Sequence, residues 1–219
     1  MTGVPGGRAE RRLEALLVRE RALWAAGIER IAGVDEAGVG PLAGPVVAAA
    51  VIFSPGCGLL GVDDSKRLTP ERRAVLASAI RESALAFAVA VVEPEEIDRV
   101  NVYQASLAAM SRAVAGLSIR PQHVLVDARR IPVCDLPQEA IIKGDAHCHA
   151  IAAASILAKT VRDALMRGYE DEFPGYGFGD HKGYCTDAHR DAIRRLGPCA
   201  IHRRSFMLLP PPKLWGEPL

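Results

Sequence analysis

A run of almost wholly apolar residues, Pro45–Phe53, constrains the fold more than any other feature of this sequence. Such a run is too short to span a bilayer as a helix, and it predicts a strand that is buried on both faces. A second apolar stretch, Ile31–Asp35, precedes it, and the glycine-rich segment Gly38–Gly44 connects the two. The pair therefore predicts a sheet that other elements cover on both sides.

The rest of the chain alternates between strand and helix patterns. We predict further strands at Ala84–Val92, His123–Val126 and Ala140–Ile142, and helices over residues 8–26, 102–117, 149–168 and 187–196. Thr69 before Pro70 is typical of a helix start, and Thr186 is expected to cap the last helix. Together these elements predict an α/β fold in which a mixed five-stranded sheet is flanked by helices, with a helical C-terminal segment.

Composition limits the classes of partner. The formal net charge of the 219 residues is only +1, so any nucleic-acid-binding face must be local. One basic stretch is a candidate for such a face, and it comprises Arg190, Arg194, Arg195, His202, Arg203 and Arg204. The five cysteines show no paired spacing, which favours reduced thiols. No signal peptide or membrane span is visible, so a cytoplasmic location and no membrane partner are expected.

Acidic residues follow three of the predicted strands. Asp35 and Glu36 come at the end of the first strand, Asp127 follows Val124–Val126, and Asp145 lies in a Lys-Gly-Asp turn. The carboxyl ends of strands gather at one edge of an α/β sheet, so these acids can meet in space. A single acid in such a place is more often a helix cap or a solvated strand end, whereas the whole set favours a metal site.

Carboxylates that are brought together repel one another unless a cation neutralises them. Hard oxygen ligands suit Mg²⁺ or Mn²⁺, and two such ions about 4 Å apart can promote phosphodiester hydrolysis. One geometric condition applies to the adjacent pair. Neighbouring strand residues point to opposite faces, so Asp35 and Glu36 are expected to act together only if the strand already breaks there.

Several stretches resemble the signatures of the ribonuclease HII family, in the order that the family shows. They are Ile31–Val51, Asp64–Lys66, Leu125–Asp127, Lys143–Asp145 with Ala152–Lys159, His181–Tyr184 and Ile201–Phe206. The resemblance covers residues 29–206, and the combination is highly specific although each short piece alone is weak. It implies a ribonuclease-H-like catalytic domain over 29–206, an N-terminal extension and helix over 1–28, and a tail over 207–219.

The resemblance also implies an activity and a set of site residues. The activity is two-metal hydrolysis of the RNA strand of RNA–DNA hybrids and incision on the 5′ side of single ribonucleotides in DNA, leaving a 3′-hydroxyl and a 5′-phosphate. Two Mg²⁺ or Mn²⁺ ions are the implied cofactors, held by the catalytic carboxylates Asp35, Glu36, Asp127 and Asp145. The implied substrate-binding residues are Gly38, Val39, Gly40, Ser65, Lys66, Lys143 and Tyr184.

Physical reasons accompany these substrate roles. The peptide groups of Gly38, Val39 and Gly40 can approach the ribose 2′-hydroxyl closely. Tyr184 would pack on the deoxyribose that follows the ribonucleotide, where an aromatic face leaves no room for a 2′-hydroxyl. Ser65 and Lys66 match residues near the substrate phosphate. Lys143 either contacts a phosphate or balances the acidic cluster.

Two departures from the family pattern stand out. The family has an arginine where this chain has Val39, so one charged phosphate contact is expected to be lost or replaced by another basic residue. Near Asp145, where serines are usual, this chain has Cys148 and Ala150. His147, Cys148 and His149 are crowded for a Zn²⁺ site and are expected to be small fillers; Cys148, near a helix start, is expected to be acidic and oxidation-prone.

Three other functions compete with this one. A dinucleotide-binding oxidoreductase is rejected, because the glycine segment follows an acidic pair and leads into a strand instead of opening a helix. Another two-metal nuclease, such as a junction resolvase, and a nucleic-acid-binding homologue without activity both stay open. RNA–DNA hybrids and ribonucleotide-containing DNA are the expected partners of a monomer. In the tail, Pro210–Pro212 ends regular structure, and Trp215 is expected to anchor the tail. No motif there identifies a partner such as a sliding clamp.

Overall fold

The computed structural model describes residues 7–132 and 134–209. The strands are β1 (Ile31–Ala37), β2 (Val46–Ile52), β3 (Ala86–Val92), β4 (His123–Asp127) and β5 (Gln138–Ile141). The helices are α1 (Arg8–Leu16), α2 (Val18–Ala25), α3 (Pro70–Ser83), α4 (Pro94–Val100), α5 (Val102–Ala115), α6 (His149–Glu172), α7 (Phe178–His181) and α8 (Asp187–Leu196). Short 3-10 turns lie at Ser65–Arg67 and Gly144–Ala146.

The five strands form one mixed sheet in the order β3-β2-β1-β4-β5. The pairs β1–β2 and β2–β3 are antiparallel, whereas β1–β4 and β4–β5 are parallel. The register pairs Val34 of β1 with Val126 of β4, so Asp35 and Asp127 come next at the same level of the sheet. The predicted α/β fold is confirmed, including the mixed sheet and the helical C-terminal segment.

Strand β2 is buried along its whole length, as its apolar sequence predicts. Its alternate residues face opposite layers: Ala48 and Ala50 pack in the cluster that contains α5, and Val47 and Ala49 pack in the cluster that contains α3 and α6. The same alternation holds in β1, whose Ala32 and Val34 face the α5 side. The sheet is therefore covered by helices on both faces.

Helix α6 lies unusually close to β1, and Gly33 explains why. A Cβ atom at Gly33 would lie 2.1 Å from the backbone carbon of Ala150, a distance that no side chain could occupy. The small residues of α6 beside it, Ala152, Ala153 and Ala154, are fully buried. This close approach brings the polar residues farther along α6 to the carboxyl end of β1.

Several predicted boundaries change. The N-terminal helix divides at Leu17, although the hydrogen bonds from Leu17 N to Leu13 O and from Arg21 N to Leu17 O continue across the division. Strand β1 does not end at Asp35 but continues to Ala37. Helices α4 and α7 were not predicted.

Both predicted helix caps are confirmed, since the hydroxyls of Thr69 and Thr186 accept hydrogen bonds from the amides of Arg72 and His189. The expectations for residues 1–6, for Pro210–Pro212 and for Trp215 lie outside the described residues. Within the described parts of the chain, no helix is long and apolar enough to cross a membrane.

Candidate functional site

A cleft opens at the carboxyl ends of β1 and β4, where the sheet, the glycine segment and α6 meet. Its lining residues are Asp35, Glu36, Ala37, Gly38, Val39, Gly40, Ser65, Lys66, Asp127, Ser155, Lys159, Arg162 and Tyr184. Most of the residues that the sequence proposed for the site therefore share one cleft. Asp145 and Lys143 are not among the lining residues.

Asp35 and Glu36 are consecutive residues of a continuous strand, so the break that was set as the condition for their joint action does not occur. Their side chains point to opposite faces of the sheet: Asp35 faces Ser155 of α6, and Glu36 faces Ser106 of α5. Both still line the cleft, because it lies across the end of the sheet and is open to both faces. The Asp35 carboxylate also accepts a hydrogen bond of 2.7 Å from the amide of Glu36.

Burial and mutual repulsion disfavour the charged forms of this pair. Burial, with the charges of Glu36 and Asp127, raises the pKa of Asp35 well above its usual value. Burial also raises the pKa of Glu36, opposed by Arg129, whose Nη1 lies 3.5 Å from Glu36 Oε1. Carboxylates with raised pKa values in a cleft are typical of functional sites, because the fold tolerates a charge that it does not neutralise.

The third strand-end acid, Asp127, is the last residue of β4. Its Oδ1 accepts a hydrogen bond of 2.6 Å from the amide of Gly144, which begins the 3-10 turn that contains Asp145. Asp145 is buried, and burial together with the charges of Asp64 and Asp127 raises its pKa. The structure thus brings Asp145 close to Asp127 without exposing it to the cleft.

The donor set suits a hard divalent cation. Besides the raised pKa values, one atom points to a missing partner: Oε2 of Glu36 is buried and has no hydrogen-bond partner among the described residues. Within residues 7–132 and 134–209, however, no three histidine, cysteine or acidic side chains are arranged as a ready-made metal site. The chemistry of the carboxylates fits a cation, although their side chains do not form a closed shell.

The glycine segment forms one wall of the cleft. Gly38 has a φ of 97°, in the left-handed region that favours glycine. Val39 lines the cleft between Gly38 and Gly40. The carbonyls of Gly38 and Val39 accept hydrogen bonds from the buried guanidinium of Arg203.

Ser65 and Lys66 also line the cleft, in a 3-10 turn. The Ser65 hydroxyl is buried and lies 2.9 Å from the hydroxyl of Ser155, so it is tied to α6. Lys66 is exposed, and although partial burial lowers its pKa, the charges of Asp145 and Asp35 raise it overall. The ammonium of Lys66 therefore faces the acidic group, a position that suits a phosphate held between the two.

Lys143 is placed differently from the other proposed substrate residues. It is exposed and adopts a left-handed conformation, with a φ of 56°, immediately before Gly144. It directly precedes the 3-10 turn that contains the buried Asp145. Lys143 thus stands outside the cleft wall.

Tyr184 is exposed in the cleft, and a chain of buried histidines supports its backbone. His202 Nδ1 accepts a hydrogen bond from the amide of Cys199, so its proton is on Nε2, which lies 3.1 Å from Nε2 of His189. That contact places the proton of His189 on Nδ1, which donates to the carbonyl of Tyr184 at 2.9 Å. The guanidinium of Arg162 lies 5.8 Å from the centre of the Tyr184 ring.

Sequence reasoning missed the contribution of α6. Ser155, Lys159 and Arg162 all line the cleft. Their spacing of four and three residues places them on one helix face, and this polar stripe in an alanine-rich helix was the signal that could have identified them. Arg129, which contacts Glu36, carried no comparable signal.

The structure corrects the expectation for Cys148. The residue is fully buried beside Leu125 and Ile151, and burial raises the pKa of its thiol to about 12. It is therefore neither acidic nor exposed. His149 is buried too, and its Nε2 accepts a hydrogen bond from the amide of Leu59.

The basic stretch is also corrected in part. His202 and Arg203 are buried, and their polar atoms are used inside the protein. Arg194, Arg195 and Arg204 are exposed, and Arg194 is paired with Asp191. The stretch is thus not one continuous basic face.

Comparisons with known proteins identify the family. Residues 32–209 match the family model described as ribonuclease HII. Among curated relatives, ribonuclease HII of Myxococcus xanthus is 56% identical over 201 residues, covering 91% of this chain and 69% of the relative. Ribonuclease HII of Moorella thermoacetica is 54% identical over 195 residues, covering 89% of this chain and 95% of the relative.

A solved structure supports the fold as well. The PCNA:RNase HII complex from Archaeoglobus fulgidus contains a chain that superposes with a TM-score of 0.69 at 26% identity. The match covers 87% of this chain and 98% of the other.

Proposed function

The chain belongs to the ribonuclease HII family and is a hydrolase of the ribonuclease H type, and from this premise we propose that it incises duplex DNA on the 5′ side of a single ribonucleotide and hydrolyses the RNA strand of RNA–DNA hybrids. The observation that carries the proposal is that one cleft is lined by carboxylates, by the glycine segment and by Tyr184. The carboxylates supply the means of hydrolysis, and the other two supply the means of recognising a ribose. We assign this activity to residues 29–206.

We propose that Asp35, Glu36, Asp127 and Asp145 hold two Mg²⁺ or Mn²⁺ ions. When bound, such ions activate a water molecule and stabilise the leaving oxygen of a phosphodiester. The residues themselves supply negative charge that burial leaves uncompensated, as the raised pKa values of Asp35, Glu36 and Asp145 indicate. Arg129, which also donates to the Ser106 hydroxyl, contacts Glu36, and the amide of Gly144 holds Asp127.

Recognition of the ribonucleotide is assigned to the residues that line the cleft beside the carboxylates. The amides of the glycine segment, Gly38, Val39 and Gly40, can donate to the 2′-hydroxyl, which is the group that distinguishes RNA from DNA at that position. Tyr184 can pack on the next deoxyribose. The positive charges of Lys66 and Lys159 face the same space and can bind the phosphates between these sugars. They are also the candidates to compensate for the missing arginine at Val39.

The decisive experiment uses a DNA duplex that contains one ribonucleotide. We expect incision with Mg²⁺ or Mn²⁺ at the 5′ side of that ribonucleotide, and cleavage of an all-hybrid duplex, but no cleavage of an all-DNA duplex. The Asp127→Asn variant should lose turnover and keep its affinity for the duplex. Failure of the wild-type protein to incise with either metal would refute the enzymatic proposal, and equal cleavage of all-DNA duplex would refute ribonucleotide recognition.

The same experiment separates the proposal from the other nuclease reading. A junction-cleaving enzyme would prefer branched DNA and would ignore the ribonucleotide. Binding of the duplex without any turnover would instead indicate a homologue that has kept recognition alone. The shared cleft favours incision over both alternatives, because it combines three of the four carboxylates with the glycine segment and Tyr184 in one surface.

A further inference from the structure

The guanidinium of Arg203 occupies an unusual place, beneath the glycine segment. The residue is fully buried, and its hydrogen bonds go to backbone carbonyls. Nη2 donates to Gly38 O at 2.5 Å, Nη1 donates to Val39 O at 2.9 Å, and Nε and Nη2 donate to Gly44 O at 2.9 and 2.8 Å. One side chain thus binds three carbonyls of a segment more than 150 residues away in sequence.

This arrangement fixes the direction of two amides. In a trans peptide the carbonyl of one residue and the N–H of the next point in opposite directions. Because the carbonyls of Gly38 and Val39 point toward Arg203, the N–H groups of Val39 and Gly40 point away from it. Val39 and Gly40 line the cleft, whereas Arg203 does not, so both N–H groups are directed to the cleft side.

These two amides are available to a ligand. Within the described residues, neither the amide of Val39 nor that of Gly40 donates a hydrogen bond. Backbone N–H groups at the edge of a folded segment normally find a partner in the protein or in solvent. Two adjacent free donors in a cleft, held in one direction, form a site for an oxygen acceptor.

The free-energy cost of burying the Arg203 guanidinium indicates that this side chain does more than fill space. Burying a guanidinium without a paired carboxylate is expensive, and a carbonyl at the edge of a cleft can bind water at little cost. The charge also polarises the peptide groups that it binds, which strengthens their N–H groups as donors on the other side. An apolar side chain would pack in the same place but would leave the direction of the peptides free.

We propose that Arg203 is a positioning residue for ribonucleotide recognition: by binding the carbonyls of Gly38 and Val39, it directs the N–H groups of Val39 and Gly40 toward the ribose 2′-hydroxyl. The inference rests on the proposed function and deepens it. Arg203 does not contact the substrate in this scheme. It determines how strongly the protein distinguishes a ribonucleotide from a deoxyribonucleotide.

Asp98 of α4 holds the neighbouring backbone in place. Its carboxylate accepts hydrogen bonds from the amides of Arg204 and Ser205 at 2.8 and 2.9 Å, and from the Ser205 hydroxyl at 2.6 Å. The amide of Arg203 itself donates to Leu42 O at 2.9 Å. Asp98 therefore offers a second, less buried position at which the orientation of Arg203 can be disturbed.

The test measures affinity for two duplexes of the same sequence, one with a single ribonucleotide and one all-DNA. All proteins carry Asp127→Asn, and binding is followed by fluorescence anisotropy with Mg²⁺. Arg203→Lys keeps the charge but cannot bind three carbonyls in a fixed plane. We expect it to weaken binding of the ribonucleotide duplex roughly tenfold, as the loss of a well-aligned polar contact does, and to change binding of the all-DNA duplex less than about twofold.

Arg204→Lys is the matched control, because Arg204 is the adjacent arginine and is exposed. It should leave the ratio of the two affinities unchanged. A merely structural role of Arg203 would lower the active fraction and both affinities together, whereas the inference requires the ratio to fall. A folded Arg203→Lys protein, verified by circular dichroism, that keeps the ratio of the reference protein overturns the inference.

Two further results are decisive. If Arg203→Lys does not fold, Asp98→Ala replaces it and should lower the ratio about threefold, by the loosening of Arg203; an unchanged ratio overturns the inference. If the reference protein itself binds both duplexes equally, the proposed function fails, and this inference fails with it. An unchanged ratio in a variant concerns Arg203 alone, whereas equal binding of both duplexes by the reference protein concerns the proposed function, so the two failures are distinguishable.

Discussion

The glycine segment provides a sharp test of the site, through the substitution Gly38→Ala. A Cβ atom at this position would lie 2.1 Å from Nε and 2.5 Å from Cδ of Arg162, and 2.6 Å from the carbonyl oxygen of Pro45. Arg162 is buried and donates to the carbonyls of Pro45 at 3.0 Å and Ala43 at 3.2 Å. The new methyl group would therefore force this guanidinium out of its hydrogen bonds.

The magnitude follows from two contributions. A φ of 97° disfavours any residue with a Cβ atom, at a cost of about 1 kcal/mol. Loss of a hydrogen bond between a charged donor and Pro45 O costs about 2 kcal/mol. We expect Gly38→Ala to lower the free energy of unfolding by about 3 kcal/mol, which leaves a typical domain folded but perturbs this wall of the cleft.

Gly40→Ala is the matched control in the same segment. No heavy atom lies within 4 Å of a Cβ built at Gly40, which does not have a left-handed φ. Its free energy of unfolding should change by less than about 0.5 kcal/mol. Urea denaturation measures both variants, and incision of the one-ribonucleotide duplex measures their activity.

Activity should separate the variants in a second way. Gly38→Ala should lose activity because the wall is displaced, and Gly40→Ala should lose it only if the substrate backbone approaches as closely as the proposal requires. Equal stability of the two variants would refute the assignment of Arg162 and Gly38 as a close-packed pair. Full activity of Gly40→Ala would instead count against close approach of a ribose.

Three more predictions concern buried charge and reactivity. Asp35→Asn should raise the free energy of unfolding by roughly 1 kcal/mol at pH 8 without divalent cations, because the folded-state pKa of Asp35 is raised. This gain in stability should disappear as the pH falls toward 4, where the Asp35 carboxyl binds a proton in both the folded and the unfolded state. A gain that grows as the pH falls would contradict this prediction. Mg²⁺ should stabilise the wild type more than this variant. Arg73→Met should lower the free energy of unfolding by about 3 kcal/mol in urea denaturation, because the buried Asp163 then loses the guanidinium at 2.9 Å and keeps only Lys159 as a partner. A loss under about 1 kcal/mol would show that the Arg73–Asp163 pair is not isolated from water. Iodoacetamide should label the exposed Cys185 in the native protein and Cys148 only after unfolding, and mass spectrometry would detect both adducts. Comparable labelling rates of the two cysteines in the native protein would disprove burial of Cys148.

Local sequence patterns were sufficient for the sheet. The unbroken apolar run of β2 required burial on both faces, and the caps at Thr69 and Thr186 fixed two helix starts. Helix α4 could have been found by the same rules, because Pro94 follows Glu93 and two acids occupy the first turn. It was missed because the helix is only seven residues long, too short for a hydrophobic period to emerge.

The end of β1 could not be predicted in the same way. Apolar residues stop at Val34, so the pattern ends before the strand does, and only pairing with β2 as far as Ala37 and Val47 continues it. Asp35 and Glu36 are then buried by helices on either side. A pattern rule treats charge as the end of a buried strand, and an active site is where that rule fails.

The long-range contacts that hold the site in place could not be predicted from local sequence patterns. Arg203 lies 165 positions from Gly38, and nothing in the sequence spacing indicates that it binds the carbonyl of Gly38. The contact between His189 and the carbonyl of Tyr184 is likewise not indicated by any sequence pattern. The same is true of Cys148, which precedes a helix yet is buried against β4. A rule for helix N-termini predicts an acidic thiol there, but desolvation is the larger effect once the tertiary packing is known.

Val39→Arg separates the two functions that this position combines. Val39 lines the cleft, while its carbonyl is held by Arg203 at 2.9 Å. An arginine side chain would add a cation that can reach a phosphate, so the slope of log affinity against log salt concentration should become steeper by about 1 for the one-ribonucleotide duplex. The preference for that duplex over all-DNA should stay within about twofold, because we assign it to backbone amides that are oriented by Arg203 and not by the residue 39 side chain. An unchanged salt slope would show that the side chain is not near a phosphate. A changed preference would show that the side chain and the backbone of this segment are not independent.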